Sequence, residues 1–282
     1  MDKDDNWTLE IKPKRKLFAI PIREIIQYRD LLFLLVKRDF VMQYKQTILG
    51  PLWFVINPLL STVIYTFIFG RLANIGTDGI PHTLFYYSGT MLWAFFSGCF
   101  NDSCNVFINN ANVFGKVYFP RLVIPINYIL SNAIKIAIQF VLLLVFLVYY
   151  IYRGFPLHPS FLILLLPLII IWLSLIGIGA GIIISSLTTK YRDLNKLVVH
   201  ALGLLMYVSP VVYPLSEIPV TFRWLAYVNP ICAPIELFRY CYFGASSVNT
   251  SMILTSLGIT IVFVFLGLIL FNQNEKNFID VI

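Results

Sequence analysis

Charge is missing from this chain over long distances. No Lys, Arg, Asp or Glu occurs from Gln46 to Gly70, from Gly154 to Thr189 or from Tyr240 to Asn274, and shorter uncharged stretches run from Gly79 to Asn101 and from Leu197 to Ser216. A helix needs about 20 apolar residues to cross the hydrocarbon of a bilayer, whereas a soluble helix shows a polar face on every turn. Phe161 to Leu173 offers only Pro167 as a break. The runs therefore exclude an ordinary soluble core and indicate a polytopic membrane protein. With 59% hydrophobic residues among 282 and a mean hydropathy of +0.80, the chain has room for about six spans and little else.

Several chemistries are missing too. His82, His158 and His200 are scattered, which excludes a zinc site, and no Ser/His/Asp set falls on one surface. The cysteines, Cys99, Cys104, Cys232 and Cys241, have no metal-ligand spacing. Cys99 and Cys104 fall inside an expected span and read as small apolar residues. Cys232 and Cys241 stay open between an outer disulfide and free thiols. No GxxxxGK[ST] occurs, because Gly115-Lys116 is followed by Val117 and lacks the upstream glycine, so this chain does not hold ATP in a phosphate loop. There is no strong internal repeat of the kind seen in transporters built from inverted halves. No metal or cofactor is expected on the chain itself, and an enzymatic role has no positive support.

The charges that are present mark a side of the membrane. The fold expected is all-α and integral to the membrane, with six spans near 51–71, 84–108, 124–151, 161–187, 196–214 and 251–272. Residues 1–50 form a cytoplasmic arm carrying ten Lys or Arg, without the short apolar run and small-residue site of a removable signal peptide. Placing 1–50, 109–123, 188–195 and 273–282 inside, with Lys196 at a helix mouth, puts sixteen of the 21 basic residues on the cytoplasmic side. Only Arg71, Arg153, Arg223 and Arg239 fall outside. Both termini are then cytoplasmic, and the net charge of +7 reflects membrane orientation rather than nucleic-acid binding.

Two regions depart from a plain six-helix pattern. Tyr28 to Leu49 is too charged to span yet contains Leu31–Val36, Phe40–Met42, Tyr44 and Ile48. It reads as an amphipathic helix in the inner interface, with Lys37, Arg38 and Lys45 toward headgroups or a partner; an ordinary cytoplasmic helix is the alternative. In the outer connection 215–250, Trp224–Val228 and Ile231–Ile235 are too short to cross and are broken by Pro219, Pro230 and Pro234. Re-entrant half-helices dipping from the outer face account for this, a soluble amphipathic loop being the alternative.

Polar residues recur inside the expected spans. Ser97, Asn101, Asn105 and Asn109 stand four apart beside Asp102, and Asn127, Ser131, Lys135 and Gln139 repeat the spacing in the third span. Residues at i and i+4 share a helix face, so each stripe faces either a water-filled path or a dry interface, and both readings stand. Asp102 and Lys135 lower each other's cost if paired, although their depths differ by roughly 8 Å at 1.5 Å per residue, which demands tilt or a neighbouring subunit. Aromatics around Phe85–Tyr87, Trp93, Phe95, Phe96, Phe100 and Phe107 lie near the first stripe, and Tyr149, Tyr150 and Tyr152 read as an interfacial belt. Gly177, Gly181 and Ser185 form a small-residue seam for close helix packing.

Several segments together resemble the membrane-spanning permeases of ABC-2 type polysaccharide exporters, which serve O-antigen, capsule and teichoic acid export. They are RDLLFLLVKRDFVMQYKQTILGPLW (29–53), KVYFPRLVIP (116–125), KYRDL (190–194), SPVVYP (209–214), NPICAPIELFR (229–239) and the tail EKNFIDVI (275–282), in the family's order and over nearly the whole chain. The resemblance implies a homodimer in the inner membrane that pairs with two copies of a separate ATPase, where ATP and Mg would bind, and that exports a glycan linked to undecaprenyl pyrophosphate. It implies ATPase contacts at Lys37, Arg38 and Asp39 and on the coupling segment 109–123 at Lys116, Tyr118 and Arg121. A cytoplasmic gate loop would hold Lys190, Tyr191, Arg192 and Asp193. The outer gate in 215–250 would include Pro219, Trp224, Pro230 and Glu236. A path across the 51–272 domain would be lined by Ser97, Phe100, Asn101, Asn105, Asn127, Ser131, Lys135 and Gln139. The rival readings are an ABC-2 exporter of another lipid or a drug, and a membrane glycosyl or acyl transferase, which would need more catalytic groups than Asp102.

Overall fold

A computed structural model describes residues 22–110, 119–155, 161–188, 193–246 and 248–281, and the described residues contain helices and turns but no strand. Two helices precede the apolar runs: α1 (Ile22–Gln27) and α2 (Arg29–Tyr44). A 3-10 turn at Gly50–Leu52, with Pro51 in its first turn, leads into α3 (Trp53–Tyr65), which widens into a π-helix over Thr66–Leu72. Then follow α4 (His82–Cys104), α5 (Val106–Asn109), α6 (Val123–Tyr152), α7 (Leu166–Thr188), α8 (Asp193–Val208), the short α9 (Trp224–Val228) and α10 (Cys232–Phe243), and α11 (Thr250–Val281).

Helix α4 is the axis of the bundle. Sixteen of its 23 residues are buried, and it packs against α3, α6 and α7, while α7 carries α11 on its far side and α2 lies against α6. The expected glycine seam holds this arrangement together. A Cβ on Gly177 would stand 3.0 Å from the Phe96 carbonyl oxygen, and one on Gly181 would stand 2.7 Å from that of Phe100, both in α4. Gly179, on the opposite face of α7, comes equally close to Phe263 of α11, and Trp172 donates to Thr260 across the same contact. Lipid tails are as apolar as leucine, so helices in a bilayer associate by such close backbone approach rather than by expelling water. The outward faces of α6 and α11 are exposed and apolar, for example Val141, Val145 and Val148, and Ile261, Val262 and Phe265.

Among the described residues, four helices are long and apolar enough to cross a membrane: Gly50–Leu72, Val123–Tyr152, Phe161–Thr188 and Thr250–Gln273. The other two expected spans come out differently. The helix expected over 84–108 stops at Cys104, because the Asn105 amide donates to the Asn101 carbonyl and takes the place of a backbone N–H. The helix expected over 196–214 ends at Val208, since the residue before Pro210 is driven out of the α region; Val211 and Val212 then bury themselves against the bundle. Helix α11 runs on through the expected tail after 272 as far as Val281. Cys232 and Cys241 are free and buried on one helix. Nine positions there amount to about 13 Å of rise, too far for a disulfide.

The seam gives a direct test. Gly181→Ala is expected to lower the melting temperature in detergent in spite of the better helix propensity of alanine, by about 1–3 kcal/mol of overpacking. Gly258→Ala in α11, where a Cβ meets nothing within 4 Å, serves as the control and is expected to leave it unchanged or raise it.

Candidate functional site

A proline sets the first feature of the site. Pro58 lies inside α3 and has no N–H, so the Phe54 carbonyl one turn earlier loses its helical donor. The Gln139 side-chain amide of α6 fills that position, donating to the Phe54 oxygen at 2.8 Å, while the Gln139 backbone oxygen accepts from Tyr87 of α4 at 2.9 Å. Three helices are thereby fixed around a cavity of about 520 Å³. Its walls combine Trp53, Tyr65 and Trp93 with Asn57, Ser61 and Ser97, so flat rings alternate with amides and hydroxyls. Of the eight residues expected to line a path, Ser97 and Gln139 border this cavity. The wall from α3 was missed, although Asn57, Ser61 and Tyr65 recur at four-residue spacing and carry the same signal as the two stripes that were read.

In the first half of α6, residues beside the two stripes join α6 to α4. Asn132 donates to Asp102 at 2.8 Å and accepts from Lys135 Nζ at 2.9 Å. No direct ion pair joins Asp102 to Lys135 among the described residues, so a neutral amide bridges the depth difference between the two charges. Gly98 makes room for it, since a Cβ there would stand 2.6 Å from Asn132 Oδ1. Asn127 donates to Asp39 of α2 at 2.5 Å and accepts from Ser131 at 3.4 Å. Asn105 accepts from Asn195 of α8 at 2.9 Å, Asn101 is half-buried, and Phe100 is buried against Phe96. Asn132 was missed because it lies one position off the stripe, beside Ser131.

The remaining expected site residues divide by position. Lys37 and Arg38 are exposed on α2, Arg38 pairs with Asp39 at 2.7 Å, and Arg121 is buried ahead of α6. Lys116, Tyr118, Lys190, Tyr191 and Arg192 lie outside the described residues, and Asp193 opens α8 in its first turn, where a negative charge suits the helix dipole. Pro219 and Trp224 are exposed, and the Pro230 carbonyl accepts from Ser256 of α11. Arg239, which the sequence places in an outer connection, is 1% exposed: it pairs with Glu236 at 3.0 Å, donates to the Phe85 carbonyl and lies 3.6 Å over the Phe85 ring. Ser246 donates to the other Glu236 oxygen. This pair joins α10 to α4 from inside the bundle.

The site is thus a polar and aromatic cavity between α3, α4 and α6 of an apolar helical bundle. The ABC-2 type transporter family matches residues 30–243, and the chain belongs to that family. It is 31% identical over 254 residues to the O-antigen export system permease protein RfbA of Klebsiella pneumoniae, covering 90% of this chain and 95% of that protein. It is 27% identical over 197 residues to the RfbA permease of Myxococcus xanthus, covering 70% and 73% respectively. It is 24% identical over 245 residues to the polysialic acid transport protein KpsM of Escherichia coli, covering 85% and 91%.

Two substitutions probe the internal polar bonds. Gln139→Leu is expected to cost about 1–3 kcal/mol by leaving the Phe54 carbonyl bare, and far less in a Pro58→Ala background, where the helix supplies its own donor. A double-mutant cycle on thermal melting reads the difference. Asn132→Leu is expected to cost about 3 kcal/mol or more by stranding two charges. Adding Asp102→Asn and Lys135→Met should recover part of that loss in the same assay.

Proposed function

We propose that this chain is the transmembrane permease of an ABC exporter that moves a polysaccharide, most closely an O-antigen attached to undecaprenyl pyrophosphate, outward across the inner membrane. The observation that carries this reading is the cavity between α3, α4 and α6. Aromatic rings offer broad contact with few rotatable bonds, and amides and hydroxyls exchange hydrogen bonds with sugar hydroxyls. Such a surface suits a polymer that must slide past without being held at any one position. The resemblance in sequence to O-antigen and polysialic acid permeases supports the same substrate class.

In this reading two copies of the chain form the path and two copies of a separate ATPase supply the work, with ATP and Mg²⁺ bound on those partner chains. The chain crosses the membrane six times with both termini in the cytoplasm. Helix α2 lies in the inner interface, where Lys37 and Arg38 face the ATPase or headgroups. The segment 109–123, with Lys116, Tyr118 and Arg121, is a second contact, and the loop around Lys190–Asp193 closes the cytoplasmic mouth. The connection 215–250, anchored by the Glu236–Arg239 pair, forms the outer gate.

Blocking the cavity tests this. Ser97→Trp and Ala94→Trp, each placing an indole into the opening, are expected to lower surface polysaccharide by about tenfold or more, the effect of roughly 1.4 kcal/mol on the limiting step, while the assembled complex still hydrolyses ATP. Unchanged export by both variants would remove the cavity from the transport path.

A further inference from the structure

Besides packing Phe40 on Phe54 of α3, with ring centroids 5.6 Å apart, helix α2 touches the bundle in two ways. Its Leu35 joins a small apolar cluster with Phe107, Val123, Ile124, Tyr128 and Phe271. Its Asp39, whose side chain is 17% exposed, binds Arg38 through one oxygen and accepts the Asn127 amide on the other. Asn127 is 1% exposed in the first turns of α6. The apolar cluster holds through many contacts that are individually weak. A buried hydrogen bond to a carboxylate is directional and about twice as strong as a neutral one, so it fixes the register of α2 against α6.

The next turns of α6 carry the contact onward. Ser131 donates to Asn127, and Asn132, beside it, holds Asp102 of α4 and accepts from Lys135. One further turn along α6, Gln139 meets Phe54 at the cavity. Side-chain bonds thus tie α2, which is too charged to lie in hydrocarbon, to the start of α6, and separate bonds further along α6 tie it to α4 and α3, the backbone of α6 carrying the connection between them.

We infer that Asp39 and Asn127 form the joint through which movement of α2 is transmitted to α6 and α4, and that Asn127 acts as a positioning residue rather than as lining of the path. The inference rests on the permease reading above, in which α2 faces the ATPase. A joint differs from a plain structural contact because its loss separates nucleotide hydrolysis from transport. It also has a chemical inverse: exchanging the two side chains lets an amide at 39 donate to a carboxylate at 127.

The test uses the full transporter with its ATPase and compares Asp39→Asn, Asn127→Asp and the exchange of both. Asn127→Asp sets two carboxylates against each other and is expected to cut polysaccharide exported per ATP hydrolysed by about tenfold, as loss of a charge-assisted bond of roughly 1.5–3 kcal/mol implies. The exchange is expected to restore that ratio to within about threefold of wild type, on the same scale of bond energy. Nitroxide labels at Lys37 and Ala94, both exposed, read the joint without reference to transport. The distance distribution should broaden in Asn127→Asp and narrow again in the exchange. An unchanged distribution in Asn127→Asp, or an exchange no better than that single variant in either measurement, overturns the joint. Wild-type export that proceeds without nucleotide overturns the permease reading while leaving the distance result to stand or fall by itself.

Discussion

Inside hydrocarbon a polar atom has no water to bind, and the Phe54 carbonyl carries that constraint into the tertiary structure. One proline removes one N–H, and the gap is closed by a glutamine from another helix, whose own backbone oxygen is held by a tyrosine from a third. In a soluble helix water would occupy the free carbonyl and the neighbouring helices would be unaffected. Here the same defect fixes α3, α4 and α6 relative to one another, because an unsatisfied group at this depth costs several kcal/mol. The cavity between these helices is thus a consequence of a backbone requirement as much as of side-chain shape.

The chain handles its internal charges in two ways. Glu236 and Arg239 sit one turn apart on α10 and pair directly, with the arginine plane over Phe85 and a further bond to a backbone oxygen. That arrangement is rigid and closed, and it suits a segment that must stay docked on α4. Asp102 and Lys135 are on different helices at different depths and share Asn132 between them. An amide accepts from one charge and donates to the other at once, so a single side chain satisfies both. The first solution anchors a short helix; the second ties two long ones together.

The features legible in the sequence were those set by periodicity. Four-residue spacing exposed the stripes of α4 and α6 and the glycine seam of α7, because a straight helix maps that spacing onto one face whatever the partner is. Contacts that depend on where two helices meet were not legible. Asn132 lies off the stripe and enters the site only because Gly98 lets the backbones approach, and nothing in local spacing pairs residue 98 with residue 132. Arg239 is an outer charge by sequence, and although half-helices are expected in 215–250, no local pattern shows that ten of the twelve residues of its helix are buried. The end of α8 before Pro210 was signalled by the proline itself, but the uncharged run that continues past it outweighed that local rule.

These features bear on how force could cross the membrane boundary. A dry, all-apolar contact between α2 and α6 would rest on many individually weak contacts and no directional bond. A salt bridge at the surface would be screened and worth little. The Asp39–Asn127 bond avoids both problems: one partner is charged and reaches out from a helix beside Arg38, and the other is neutral and belongs to the buried end of α6. Only one charge need be desolvated, and its second oxygen is already paired. From there the backbone of α6 carries the connection to Asn132 and Gln139, whose side chains bind Asp102 of α4 and the Phe54 carbonyl of α3, so displacement of α2 has a route to the wall of the cavity.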